Sequence, residues 1–169
     1  YTLVNLGLVY YELGDLLRAI DFQLQALLIS REIGDRLTEG NALGYLGTAY
    51  LDQGDAQRAI DYYEQRLAIA REIGDRRGEG HMLGNLGMAH RKLGDARRAI
   101  DYHKQSLAVA GETGDRYSES SALYNLGLAH LELGNLRRAI HYCEQALVIS
   151  RDIGDRQSET KVLWSLGLL

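Results

Sequence analysis

Four side chains in this sequence carry metal-ligand chemistry at a repeated spacing. His90 and His130 stand one repeat length apart, as do His103 and Cys143. Imidazole and thiolate are ordinary protein ligands of zinc. The four positions also have a plainer reading, because Tyr10, Tyr50 and Tyr63 fill the corresponding places elsewhere. There a histidine serves as a half-buried ring with one polar atom, and a cysteine as a small apolar filler. We take the second reading and assign no metal. A further series is Asn5, Asn85 and Asn125, each immediately before Leu-Gly. A carboxamide both donates and accepts, so it can pair with the backbone of an extended peptide whatever that peptide's side chains.

Other chemistry is not signalled. The glycines are spread out rather than clustered after a strand, so no phosphate cradle is indicated. The sequence has no Cys-x-x-Cys and no His-Glu-x-x-His, and no serine sits in a nucleophile elbow. Carboxylates fall at helix caps and on solvated faces. No catalytic residue and no cofactor is therefore expected. Lys plus Arg is 19 and Asp plus Glu is 23, a net charge of -4. That balance gives no bulk electrostatic reason to bind nucleic acid or an anionic membrane. No apolar run reaches the ~18 residues of a membrane span. There is no basic-then-apolar leader. The one cysteine, Cys143, cannot form an internal disulfide, which fits a reducing, cytoplasmic setting.

The elements that must position these residues are legible from glycine. The chain has 19 glycines and no proline, and the spacing of the glycines removes the apparent conflict with long helices. Gly7, Gly47, Gly87, Gly127 and Gly167 form one series of period 40. Gly14, Gly54, Gly94 and Gly134 form a second, and Gly34, Gly74, Gly114 and Gly154 a third. Aligning Arg36–Asp75 with Arg76–Asp115 gives 23 identities in 40 positions. Such a repeat signals a solenoid, in which each unit buries its faces against its neighbours.

Two of the glycine series are punctuation. Each is followed by Asp or Asn, so the glycine closes one helix and the polar residue caps the next. Each repeat then reads as two helices of roughly 16–18 residues. The apolar stripes agree, with Leu43, Leu46, Gly47 and Tyr50 on the first helix and Ala56, Ala59, Ile60, Tyr63 and Leu67 on the second. Gly47 and its equivalents lie inside a helix at a propensity cost of about 1 kcal/mol each. That implies close approach by a neighbour, with Ala19, Ala59, Ala99 and Ala139 as the expected small partners. Arg18, Arg58, Arg98 and Arg138 should pair with the residues three further on, Asp21, Asp61, Asp101 and His141. Arg36, Arg76, Arg116 and Arg156 should brace the joint between repeats.

Leu43, Leu46-Gly47, Tyr50, Gly54, Ala59 and Tyr63 resemble the tetratricopeptide repeat (TPR), and the likeness covers essentially the whole chain. The 40-residue period, the Gly-Asp-Arg joint and the Asn-Leu-Gly first helix are similar to the long repeats of Pins/LGN-type scaffolds and kinesin light chains. The chain departs from the family in lacking its proline, in having Leu for Trp, and in placing His at aromatic positions. The resemblance implies an all-α, right-handed α-solenoid of four helix pairs plus one terminal helix. The repeats are 1–35, 36–75, 76–115 and 116–155, with a partial repeat at 156–169.

The resemblance also implies a concave groove lined by the first helices. By phase, its candidate peptide-binding residues are Asn5, Asn41, Tyr45, His81, Asn85, Met88, Tyr124, Asn125, Leu128 and Trp164, with Val4 and Ser165 on the same face. A protein or peptide partner is the expected guest. The basic clamp that chaperone-binding relatives use for a carboxylate is absent from the matching positions. The alternative is a spacer or sensor arm of a larger bacterial regulator. It would self-associate end to end through Leu166, Leu168 and Leu169 of the terminal helix.

Overall fold

The structure, a computed structural model, describes residues 2–167. They form α1 (Thr2–Glu12), α2 (Leu16–Ile33), α3 (Arg36–Asp52), α4 (Ala56–Glu72), α5 (Arg76–Lys92), α6 (Ala96–Thr113), α7 (Arg116–Glu132), α8 (Leu136–Asp152) and α9 (Arg156–Gly167). Among the described residues there is no strand. All eight turn glycines have positive φ, from 66° at Gly114 to 88° at Gly54, a backbone conformation that L side chains resist. After them Asp15, Asp35, Asp55, Asp95 and Asp115 accept a hydrogen bond from the backbone N–H three residues on. For Asp15, Asp35, Asp55 and Asp115 that bond is the main reason the carboxyl titrates below its usual range. Asn135 makes no such cap bond.

The chain divides into two compact units, one ending at Asp75 and one beginning at Arg76. In the first, α1 pairs with α2 and α3 with α4, while α2 also packs on α3 and α1 touches α3. In the second, α5 pairs with α6 and α7 with α8. There α6 packs on α7, α8 packs on α9 and α5 touches α7. Every hairpin is held by the same ring stack. Tyr10 lies on Phe22, Tyr50 on Tyr62, His90 on Tyr102 and His130 on Tyr142, with centroids 5.1–5.4 Å apart and planes within 11°.

The arginines pair differently from the expectation. Arg18, Arg58 and Arg98 bridge back to the capping Asp15, Asp55 and Asp95, not forward to Asp21, Asp61 and Asp101. Helical side chains lean toward the N-terminus, which puts the cap within reach. The guanidinium groups of Arg18 and Arg58 also cover the Tyr10 and Tyr50 rings, at 4.8 and 4.5 Å from the centroids. Arg36 reaches Glu39 and Glu72, Arg76 reaches Glu79 and Glu112, and Arg116 reaches Glu119 and Asp152. They tie the two helices of one repeat together rather than one repeat to the next.

The joint between repeats is braced by other residues. Arg31 Nε donates to Glu39 at 2.9 Å and Arg151 Nε to Glu159 at 2.8 Å. Burial opposes the charge on Glu39, yet Arg31 and Arg36 together hold its carboxyl below the usual range. Gly111 occupies the equivalent place in the third repeat. The Glu119 side chain there is 25% exposed against 7% for Glu39. Gly111 lies within α6 without positive φ, and a Cβ on it would meet nothing within 4 Å. Gly111→Arg should therefore stabilise the protein by about 1 kcal/mol, mostly from helix propensity with a few tenths from the new ion pair. Thermal melting checks this, and an unchanged or lower Tm would contradict it.

Candidate functional site

The in-helix glycines shape the site. A Cβ built on Gly47 would fall 2.5 Å from Tyr63 Cε1, one on Gly87 2.5 Å from His103 Cε1, and one on Gly127 2.5 Å from Cys143 Sγ. At Gly7 the neighbour is the Gln23 carboxamide. The missing side chain thus makes room for a residue four positions beyond the alanines named from sequence. Those alanines are buried, but they are not the main partners. The residue opposite the glycine is Gln23, Tyr63, His103 and Cys143 in successive repeats.

These residues form the floor beneath the first helices. Tyr63 spans its gap and donates from its hydroxyl to Thr48 Oγ1 at 3.2 Å. Gln23 donates to the Val4 carbonyl at 3.0 Å, leaving its own carboxamide oxygen buried without a partner. His103 is fully buried, and neither ring nitrogen has a partner. Burial, and then the charge of Arg91, pushes its pKa down to about 4. Burial raises the Cys143 thiol, which keeps it protonated and unreactive.

The four residues weighed as zinc ligands do not converge. His90 and His130 are committed to ring stacks, while His103 and Cys143 fill the gaps at Gly87 and Gly127. Among the described residues no group of three or more His, Cys, Asp or Glu is placed to hold a metal.

Hollows open on the first-helix side, three of which are lined by candidate residues. In the first unit, a hollow of about 240 Å³ is lined by Leu8, Tyr11, Gln23, Tyr45 and Thr48 among others. The Tyr11 hydroxyl at its edge donates to the Asp52 carboxylate, a bond that together with burial pushes its pKa up to about 12. In the second unit, His81, Asn85, Met88 and Asn125 line a hollow of about 130 Å³ whose floor holds His103 and Ser106. Beside it, Met88, Tyr124, Asn125 and Lys161 share one of about 270 Å³.

Six of the ten candidate residues therefore line these hollows. Asn5, Asn41, Leu128 and Trp164 line none of the three, although Asn5 and Trp164 are exposed and Asn41 and Leu128 half-buried. His81 lies 3.7 Å from the Asp115 carboxylate. The Tyr124 hydroxyl shares a 3.0 Å hydrogen bond with Ser165. Two residues placed on the face by phase are buried instead. The Val4 carbonyl accepts from Gln23, and Ser165 donates to the Lys161 carbonyl. The floor residues Gln23, His103 and Ser106 were not among the candidates. For Gln23 and His103 the signal was in the sequence, as a position that changes size opposite an unchanging glycine; Ser106 faces Gly84, whose own series changes from Val4 to Tyr124.

The tetratricopeptide repeat profile matches residues 1–72 and 74–168. The chain belongs to the tetratricopeptide repeat family. Solved structures agree with this TPR assignment. The apo form of RapI superposes with a TM-score of 0.92 at 18% identity, covering 98% of this chain and 61% of RapI. A Rap protein complexed with competence and sporulation factor gives 0.86 at 19% identity, covering 95% and 45%. Kinesin light chain TPR-like repeats from Podosopora anserina give 0.75 at 18% identity, covering 96% and 90%. At these identities the likeness shows the fold alone, and this TPR chain spans only part of the two Rap proteins. No curated protein matches it in sequence. The TPR fold is a protein-interaction scaffold. No helix among the described residues is long and apolar enough to cross a membrane.

Proposed function

We propose that this TPR chain is a non-catalytic, cytoplasmic interaction module whose first helices hold a peptide segment of a protein partner. The observation that carries the reading is the second unit's face. There Asn85 and Asn125, on α5 and α7, flank a hollow with Met88 on the same rim. The Asn125 amide nitrogen donates to the Ser121 carbonyl at 3.0 Å, and its oxygen is left to accept from a guest N–H. Met88 supplies adaptable apolar contact. The Rap protein solved with competence and sporulation factor shows that a related fold takes a partner. The double variant Asn85→Ala, Asn125→Ala should weaken capture of a selected peptide at least tenfold, the cost of about one or two lost hydrogen bonds. Its melting should match the parent. Unchanged capture would refute the groove.

A second reading, a spacer or sensor arm with end-to-end contacts, is favoured by α9. Leu163 and Trp164 are exposed there, Trp164 by 71%. Leu166, in contrast, is half-buried against the cluster of Leu123, Ile149 and Val162. Leu168 and Leu169 lie outside the described residues. Light scattering at millimolar concentration should give a mass above the 18.9 kDa monomer, and Trp164→Ala should lower it. A monomeric mass at that concentration would end this reading.

A further inference from the structure

His103 differs from Tyr63 by being shorter. Tyr63 crosses the gap at Gly47 and ends on Thr48. The imidazole of His103 stops short at Gly87, and Met88 stands where Thr48 would offer a hydroxyl. His103 lines a hollow of about 130 Å³. Its walls are bare at Gly80 and Gly84 and polar at Asn85 and Ser106. Ser106 Oγ donates to the Gly80 carbonyl at 2.8 Å and keeps lone pairs to accept. No Asp, Glu, Lys or Arg lines the hollow. His81 at the rim sits beside Asp115.

We propose that this hollow is a specificity pocket for a neutral hydrogen-bonding side chain of the guest, the carboxamide of Asn or Gln. The proposal rests on the groove reading and adds to it the residue type selected. Three features select that chemistry. A neutral imidazole carries one N–H donor and one bare acceptor, and both nitrogens of His103 are buried without a partner. Leaving them so is costly, and a guest group that meets one of them removes part of the cost. A carboxamide offers both halves of the match, to His103 and to the Ser106 and Asn85 side chains. A carboxylate or ammonium would be desolvated with no opposite charge in the lining. A purely apolar guest would leave the nitrogens unpaired.

The test has two arms. In the first, propionamide, propionate and butane are added to the wild-type chain while the His103 imidazole is followed by nitrogen-detected NMR. Propionamide should give a saturable shift at His103, and the other two none. In the second, random peptides are selected on the wild type and on His103→Tyr and Gly84→Leu. The first variant restores the longer ring seen at Tyr63. The second plugs the hollow from α5, where a Cβ comes 3.4 Å from Ser106 Oγ, while residue 103 stays His.

Wild-type selections should fix Asn or Gln at one position, and both variants should lose that enrichment while still selecting peptides. A chosen Gln peptide should bind the variants roughly tenfold more weakly. Peptides selected without a fixed Asn or Gln, or a preference that survives both variants, would overturn the pocket and leave the groove standing. A ring whose nitrogens are satisfied by water that propionamide does not displace would also overturn it. Failure of the wild type to select any peptide would overturn the groove and the pocket together.

Discussion

Gly47→Leu is expected to cost about 3 kcal/mol or more, enough to lower the melting temperature by roughly 6–12 °C in a chain of this size. The reason is the ring beneath it. A Cβ at Gly47 would fall within 2.6 Å of two Tyr63 ring carbons, and Tyr63 is 1% exposed with its hydroxyl bonded to Thr48. A rigid, tethered ring cannot swing aside as the end of a lysine would. Gly47→Ala sets the clash against the helix propensity it gains, about 1 kcal/mol, and should still be destabilising. Gly44→Ala is the control, since its Cβ would meet only Arg66 Cγ at 4.0 Å. It should be neutral or stabilising. Chemical denaturation of the three variants decides the matter. The pairing with Tyr63 is checked by the double variant Gly47→Leu, Tyr63→Ala, which should recover part of the loss. Equal melting of Gly47→Leu and the parent would mean that the in-helix glycine is not a packing requirement.

The periodic glycines made the fold readable because their physical demands are local. A positive φ at Gly14 or Gly54 and an Asp cap after it depend on neighbouring residues alone, so the helix boundaries followed directly. The stripe that buries Leu43, Leu46 and Tyr50 is equally local. What occupies each gap depends on contacts between residues 16 positions apart, such as Gly47 with Tyr63 and Gly87 with His103. The repeat period shows that these positions recur without showing what meets what. Ala19, Ala59, Ala99 and Ala139 are small enough to face a glycine, yet the room left by glycine is taken by the residue one turn on. The arginine series failed for a different reason. Arg18 had an acid three residues away on both sides, and the lean of helical side chains chose Asp15 over Asp21. Asn85, Met88 and Asn125 gather around one hollow, while Val4, at the same phase as Gly44 and Tyr124, is buried.

The largest expected pH effect belongs to His103. Its folded pKa is lowered from 6.5 to about 4, by burial first and by the Arg91 charge second. The unfolded chain therefore takes up a proton at this residue between pH 6.5 and 4 that the folded chain refuses. Stability is full above pH 6.5 and falls as pH falls through that window, by roughly 3 kcal/mol in total. His130, also lowered by burial and then by Arg138 and Lys104, pulls in the same direction. The capping aspartates act lower. Their folded pKa values lie below an already acidic unfolded value, so their contribution is lost only beneath the histidine window. Urea unfolding at a series of pH values should show the decline starting near pH 6.5. His103→Tyr puts a ring there that stays neutral throughout the window, and it should remove most of the slope. If the variant keeps the wild-type slope, His103 is not the buried neutral group that the packing at Gly87 requires. In the wild type, a guest that bonds to the neutral ring would hold its folded pKa lower still and so extend the decline to lower pH without steepening it, because the slope cannot exceed that of one proton.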